Sequence, residues 1–128
     1  MKQKNKLNNT KKTVLVVDDE SDVLDIVAEM ISDLGYHVQG VSSGEEALDL
    51  IAKTPVDLVI SDVDLRGMDG ISLARWIRNR FPHLPMAMMT AYASEDVLFM
   101  LKHKVVDSLI LKPFKMGELQ GLVQNLTR

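Results

Sequence analysis

Cysteine is absent from this chain of 128 residues, which excludes a disulfide framework, a thiolate metal centre and a cysteine nucleophile together. That absence suits a reducing compartment. No apolar run approaches the ~20 residues that a membrane-crossing helix requires, and the first twelve residues lack the apolar stretch of a secretion signal. We therefore expect no membrane insertion and a cytoplasmic location. Internal repeats and low-complexity inserts are also missing, so the length is that of one ordinary domain. Acidic residues are missing from the first twelve positions alone, where Lys2, Lys4, Lys6, Lys11 and Lys12 stand together. The rest of the chain is thus more acidic than the net charge of −3 shows, and an acidic domain is poorly suited to gripping phosphate backbones. No direct nucleic-acid binding is expected of it. The reading is a solvated, mobile basic leader over residues 1–12 and a folded domain over 13–128.

Hydrophobic residues make up 46% of the chain, enough for a real core. They fall into short apolar runs alternating with longer amphipathic stretches. Val14 to Val17, Val38 to Val41, Val56 to Ile60, Met86 to Met89 and Ser108 to Leu111 have the length and flanks of strands. Continuous apolar strands suit a parallel sheet covered on both faces. Between them, Val23, Ile26, Val27, Met30, Ile31 and Leu34 recur at helical spacing and stop at Gly35, a residue suited to a left-handed exit. Ser43 with Glu46 three positions on has the spacing of a capping box for a second helix, which Pro55 follows. Three more helices are expected over about 71–80, 94–102 and 116–126. The fold class is α/β, built from five βα units.

In an open parallel sheet the chemistry gathers beyond the carboxyl ends of the strands. Those ends carry Asp18, Asp19 and Glu20 after the first strand, Asp62 at the third, Thr90 at the fourth and Lys112 at the fifth. Each alone has an ordinary structural explanation, as a cap, a turn residue or a surface charge. Together they mark one edge. If Asp18, Asp19 and Asp62 converge, two carboxylates ~5 Å apart at an effective dielectric of ~20 repel by about 3 kcal/mol. A hard cation with oxygen ligands relieves that repulsion, and Mg²⁺, which keeps several of its waters, fits a site with so few carboxylates. Spare positions on the ion, the Lys112 ammonium and the Thr90 hydroxyl then suit phosphoryl oxygens. Asp62, taken as an ordinary ionised carboxylate, needs no helper base to attack phosphorus.

These residues resemble the receiver domain of bacterial two-component response regulators. The likeness covers about residues 13–126 and rests on Val14-Leu15-Val16-Val17-Asp18-Asp19-Glu20, Asp62 followed by Met68-Asp69-Gly70, Met89-Thr90-Ala91, and Leu111-Lys112-Pro113-Phe114. It implies a flavodoxin-like, doubly wound (βα)5 sheet of strand order 2-1-3-4-5 with helices on both faces. It further implies Asp62 as phosphoacceptor, Asp18 and Asp19 with the Asp64 backbone carbonyl as the metal site, and Thr90 and Lys112 as the phosphoryl-sensing pair. The phosphodonor would be a histidine kinase or a phosphotransfer protein. The chain would be a signalling switch promoting its own aspartyl phosphorylation and dephosphorylation, either docking to a partner or controlling an output domain outside this chain. The Lys112-Pro113 bond is commonly cis in that family.

Leu109 stands where the family usually has an aromatic switch residue, and Arg66 where a proline is frequent. Signalling is then expected to pass through packing of the fourth helix. Asp64 and Tyr92, each two residues beyond a site residue, flank the approach of water to the phosphoryl group and are expected to set its lifetime. The alternative is a haloacid-dehalogenase-like phosphatase, suggested by Asp62-Val63-Asp64 after an apolar strand, although the acidic pair here precedes that motif. His37, His83 and His103 have no ligand spacing. Trp76 is expected in the core. Val97 to Leu101 cover more than one face of the fourth helix, so a homodimer or effector surface over the fourth helix, fifth strand and fifth helix is the functional alternative to their burial by neighbouring helices.

Overall fold

The structure is a computed structural model that describes residues 11–128; the leader up to residue 10 lies outside the described residues. Five strands, β1 (Thr13–Val17), β2 (His37–Val41), β3 (Leu58–Asp62), β4 (Met86–Thr90) and β5 (Ser108–Leu111), alternate with α1 (Ser21–Asp33), α2 (Gly44–Lys53), α3 (Gly70–Arg80), α4 (Glu95–Lys102) and α5 (Met116–Leu126). All four strand pairings are parallel, in the order β2-β1-β3-β4-β5.

Side chains alternate across each strand, so the sheet divides the core into two layers. Leu15, Val17, Val59 and Met88 meet Ala47 and Ile51 of α2, Leu73, Ala74 and Ile77 of α3 and Met100 of α4. Val14, Val16, Leu58, Ile60, Met89 and Ile110 face Val27 and Ile31 of α1 and Leu119 and Val123 of α5. Three helices cover one face and two the other. Each fully buried aliphatic side chain contributes roughly 1.5–3 kcal/mol of transfer free energy, and this packing fixes where the strand ends point.

Several boundaries follow from local chemistry. Gly35 takes φ +102° just past α1, as its position implied. Ser43 caps α2 by accepting the Glu46 amide at 3.1 Å. The reciprocal half of the expected box is displaced by one residue, because Glu46 accepts the amide and hydroxyl of Ser42 at 2.8 and 2.9 Å. Those bonds, the Ser42 amide first, hold the Glu46 pKa below the usual carboxylate value. β3 begins at Leu58, two residues later than the apolar run, because Asp57 turns its carboxylate to the Thr13 amide at 2.8 Å. β2 is an edge strand that buries none of its residues fully. Trp76 is not in the core. It is 37% exposed on α3, with the Arg80 guanidinium 4.7 Å from its ring centre. On α4 only Val97 and Met100 are buried, and Leu98 and Phe99 face outward.

Candidate functional site

Parallel strands deliver their last residues to one edge, and the wide separations in sequence disappear there. Asp18 follows β1 and is fully buried; its Oδ1 accepts the Glu20 amide at 2.9 Å, which turns Glu20 back toward the same edge. Asp62 ends β3, is 5% exposed, and accepts the Asp64 amide on Oδ1 at 3.3 Å. Lys112, just past β5, sends its Nζ to 3.4 Å from Asp18 Oδ2 and 3.4 Å from Asp62 Oδ2. Its own amide is held by the Thr90 carbonyl at 2.8 Å, and the Lys112-Pro113 bond is cis. The ammonium thus spans two carboxylates from strands that are themselves adjacent.

Two buried carboxylates share one ammonium, and the protonation equilibria register the imbalance. Loss of water around Asp62 pushes its pKa above 3.8; Lys112 pulls it back, and the Asp18 charge adds to the rise. Asp62 is therefore not the unperturbed carboxylate that the sequence suggested. Burial lowers the Lys112 pKa, but attraction to Asp62 and Asp18 together outweighs it, and the net shift is upward from 10.5. Since burial favours the neutral form of residue 62, Asp62→Asn is expected to raise the unfolding temperature by a few degrees at neutral pH without divalent cation. Calorimetry measures this, and a fall would mean that the Lys112 attraction dominates.

A hard cation has a donor set here. One carboxylate oxygen each from Asp18, Glu20 and Asp62 lies within 4.8 Å of the others. This all-oxygen, anionic cluster suits Mg²⁺. Glu20 belongs to it, and sequence reasoning had treated that residue only as part of the acidic run. Asp19 lies elsewhere in this structure: its Oδ2 accepts the Arg66 amide at 2.9 Å and the Arg66 Nε at 3.3 Å. Asp64 is exposed and approaches the site through its backbone.

Thr90 ends β4 and is 4% exposed. Its hydroxyl is engaged, donating to the Tyr92 carbonyl at 3.0 Å and accepting the Tyr92 amide at 3.2 Å. The Tyr92 side chain is 75% exposed. On β5, Leu109 stands opposite Met88, two residues before Thr90, and packs into the layer that holds Met100 and Leu101. A cleft of about 550 Å³ lies at the opposite edge, among the loops Pro55–Asp57 and Arg80–Pro85. Volume does not follow chemistry here, because no carboxylate cluster lines it.

Comparison with known proteins agrees with this geometry. Residues 14–124 match the profile of the response regulator receiver domain. The response regulator protein FleR of Pseudomonas aeruginosa is 36% identical over 110 residues, which is 86% of this chain and 23% of FleR. The DNA-binding transcriptional regulator NtrC of Escherichia coli is 31% identical over 111 residues, 87% of this chain and 24% of NtrC. The chain thus spans about a quarter of the length of either relative. The receiver domain of NtrX from Brucella abortus superimposes with a TM-score of 0.84 at 31% identity, covering 89% of this chain and 97% of that one.

Proposed function

The chain belongs to the response regulator receiver domain family, whose work is phosphorelay signalling, and on that premise we propose that Asp62 is its phosphoacceptor. One observation carries the reading: the Lys112 ammonium lies 3.4 Å from the carboxylates of both Asp18 and Asp62, and Glu20 completes an acidic cluster beside them. A carboxylate oxygen of Asp62 attacks phosphorus, the bond from phosphorus to the donor breaks, and the electron pair leaves with the donor. A phosphohistidine on a kinase or phosphotransfer protein is the donor class we assign. Mg²⁺, when bound, would neutralise phosphoryl charge during the displacement. Asp18, Glu20 and Asp62 would hold it, with Asp19 and the Asp64 carbonyl as further ligands.

Lys112 positions the Asp62 oxygen and offsets the repulsion between an anionic nucleophile and an anionic donor. Thr90 reports the result. To donate to a phosphoryl oxygen, its hydroxyl must leave the Tyr92 carbonyl, and Leu109 lies two residues back along the neighbouring strand, opposite Met88. Leu109 passes the change to Met100 and Leu101 on α4, whose outward Leu98 and Phe99 are the surface through which a second copy or an effector reads it. This role belongs to a cytoplasmic switch with no substrate turnover other than its own aspartyl phosphate.

The test is intact-mass measurement after incubation with a small phosphodonor and Mg²⁺. Wild type is expected to gain one metal-dependent phosphoryl adduct and Asp62→Asn none; an equal adduct on the variant would place the acceptor elsewhere.

A further inference from the structure

The Asp19 carboxylate lies at this edge but pairs with Arg66, whereas Lys112 takes Asp18 and Asp62. One of its oxygens, Oδ2, holds both the amide and the Nε of Arg66. Asp19 is 15% exposed and Arg66 88% exposed, so the arginine side chain reaches a mostly buried carboxylate from the solvent side. The loop is built to present it there. Leu65 before it is buried, and Gly67 after it takes φ +78°, a conformation that most side chains disfavour. Arg66 is pinned between an anchored residue and a bend.

We propose that Arg66 is a tethered counter-ion for Asp19 that competes with a divalent cation for that carboxylate as Asp19 joins the cluster of Asp18, Glu20 and Asp62. This rests on the metal-binding reading given above. Arg66 and Lys112 divide the acidic edge between them, one cation on Asp19 and the other on Asp18 and Asp62. Competition follows from valence and geometry. An ion reaching Asp19 by either oxygen meets a positive charge already paired with the same carboxylate through Oδ2, and the guanidinium is the one free to swing into water. The backbone amide of Arg66 stays. Arg66 therefore lowers the affinity of the edge for divalent cations and couples ion binding to release of its own side chain into water.

Magnitudes for exposed ion pairs set the size of the effect. Such pairs are worth about 0.2–1 kcal/mol, which converts to a roughly 1.4- to 5-fold change in affinity. Titration calorimetry of the full chain with Mg²⁺ provides the test, with no phosphodonor present. Arg66→Gln is expected to bind Mg²⁺ about 2- to 5-fold more tightly than wild type. Lys115→Gln, which removes an exposed cation with no partner on Asp19, is expected to bind as wild type does. In an Asp19→Asn background the Arg66 substitution should have no effect. An Arg66 effect that survives in that background, or one matched by Lys115→Gln, would reduce Arg66 to a general surface charge and overturn the proposal. Wild type that binds no Mg²⁺ at millimolar concentration would instead overturn the metal reading beneath it.

Discussion

Gly70→Ala is expected to cost about 3–5 kcal/mol of stability and to abolish phosphoryl uptake in whatever fraction remains folded. Gly70 opens α3 directly below the β3 terminus, its amide bonded to the Val63 carbonyl at 2.9 Å. A Cβ there would overlap the Asp62 carbonyl oxygen and lie 2.8 Å from Val63 Cα and 3.0 Å from the Val63 carbonyl oxygen. All three are backbone atoms, so no rotamer change relieves the clash. The helix would have to withdraw from the sheet, or the chain at Asp62 would have to shift, and the first disturbs the core while the second misaligns the nucleophile. Gly121→Ala supplies the contrast. Nothing lies within 4 Å of a Cβ at Gly121, in the middle of α5, and the substitution is expected to stabilise by about 0.5–1 kcal/mol through helix propensity. Urea titration of both variants measures the pair, and a loss at Gly70 below ~1 kcal/mol would show that the α3 terminus moves freely.

Lys112→Met, which keeps the stem and removes the charge, should destabilise the fold at neutral pH by about 2–3 kcal/mol. That is near or below the lower end for stripping the partner from a buried pair, because the Lys112 side chain is 21% exposed while Asp18 is fully buried. The pH profile identifies the cause. A lysine with a raised pKa contributes stability that is complete below 10.5 and fades as pH rises through its folded value. The gap between wild type and variant should accordingly stay open through neutrality and close in strong alkali. Asp62 works in the opposite sense to an ordinary paired carboxylate. Its raised pKa makes its contribution favourable below 3.8 and unfavourable once it ionises, and removing Lys112 deepens that effect. The variant should therefore regain stability on acidification toward about pH 4, as Asp62 takes up its proton. Urea unfolding across that range decides the matter, and a gap independent of pH would assign the loss to packing of the stem.

Much of this was legible in the sequence, for definite reasons. Apolar runs of strand length between amphipathic stretches leave few alternatives to a parallel sheet, and a parallel sheet brings its strand ends together. Asp18, Asp62, Thr90 and Lys112 could be grouped before any coordinates were known. Less legible was what depends on side-chain direction. Glu46 has the spacing to cap Ser43 and bonds Ser42 instead, because spacing does not specify which amide a flexible carboxylate reaches. Trp76 lies beside Leu73 and Ile77 in a helical pattern, yet it sits on the edge of the apolar stripe, where Arg80 covers it. Asp19 and Glu20 are adjacent and chemically alike. Their division between Arg66 and the acidic cluster depends on the β3 to α3 loop, which has no periodicity to read. The pKa of Asp62 needed burial, a three-dimensional quantity.

The pairing of Asp18 with Lys112 joins positions 94 residues apart. β1 lies inside the sheet and β5 at its border, so this contact reaches across β3 and β4. A polypeptide still lacking the segment after β4 therefore holds the acids without their ammonium, and the charge balance of this edge is set only when the fifth strand has joined the sheet.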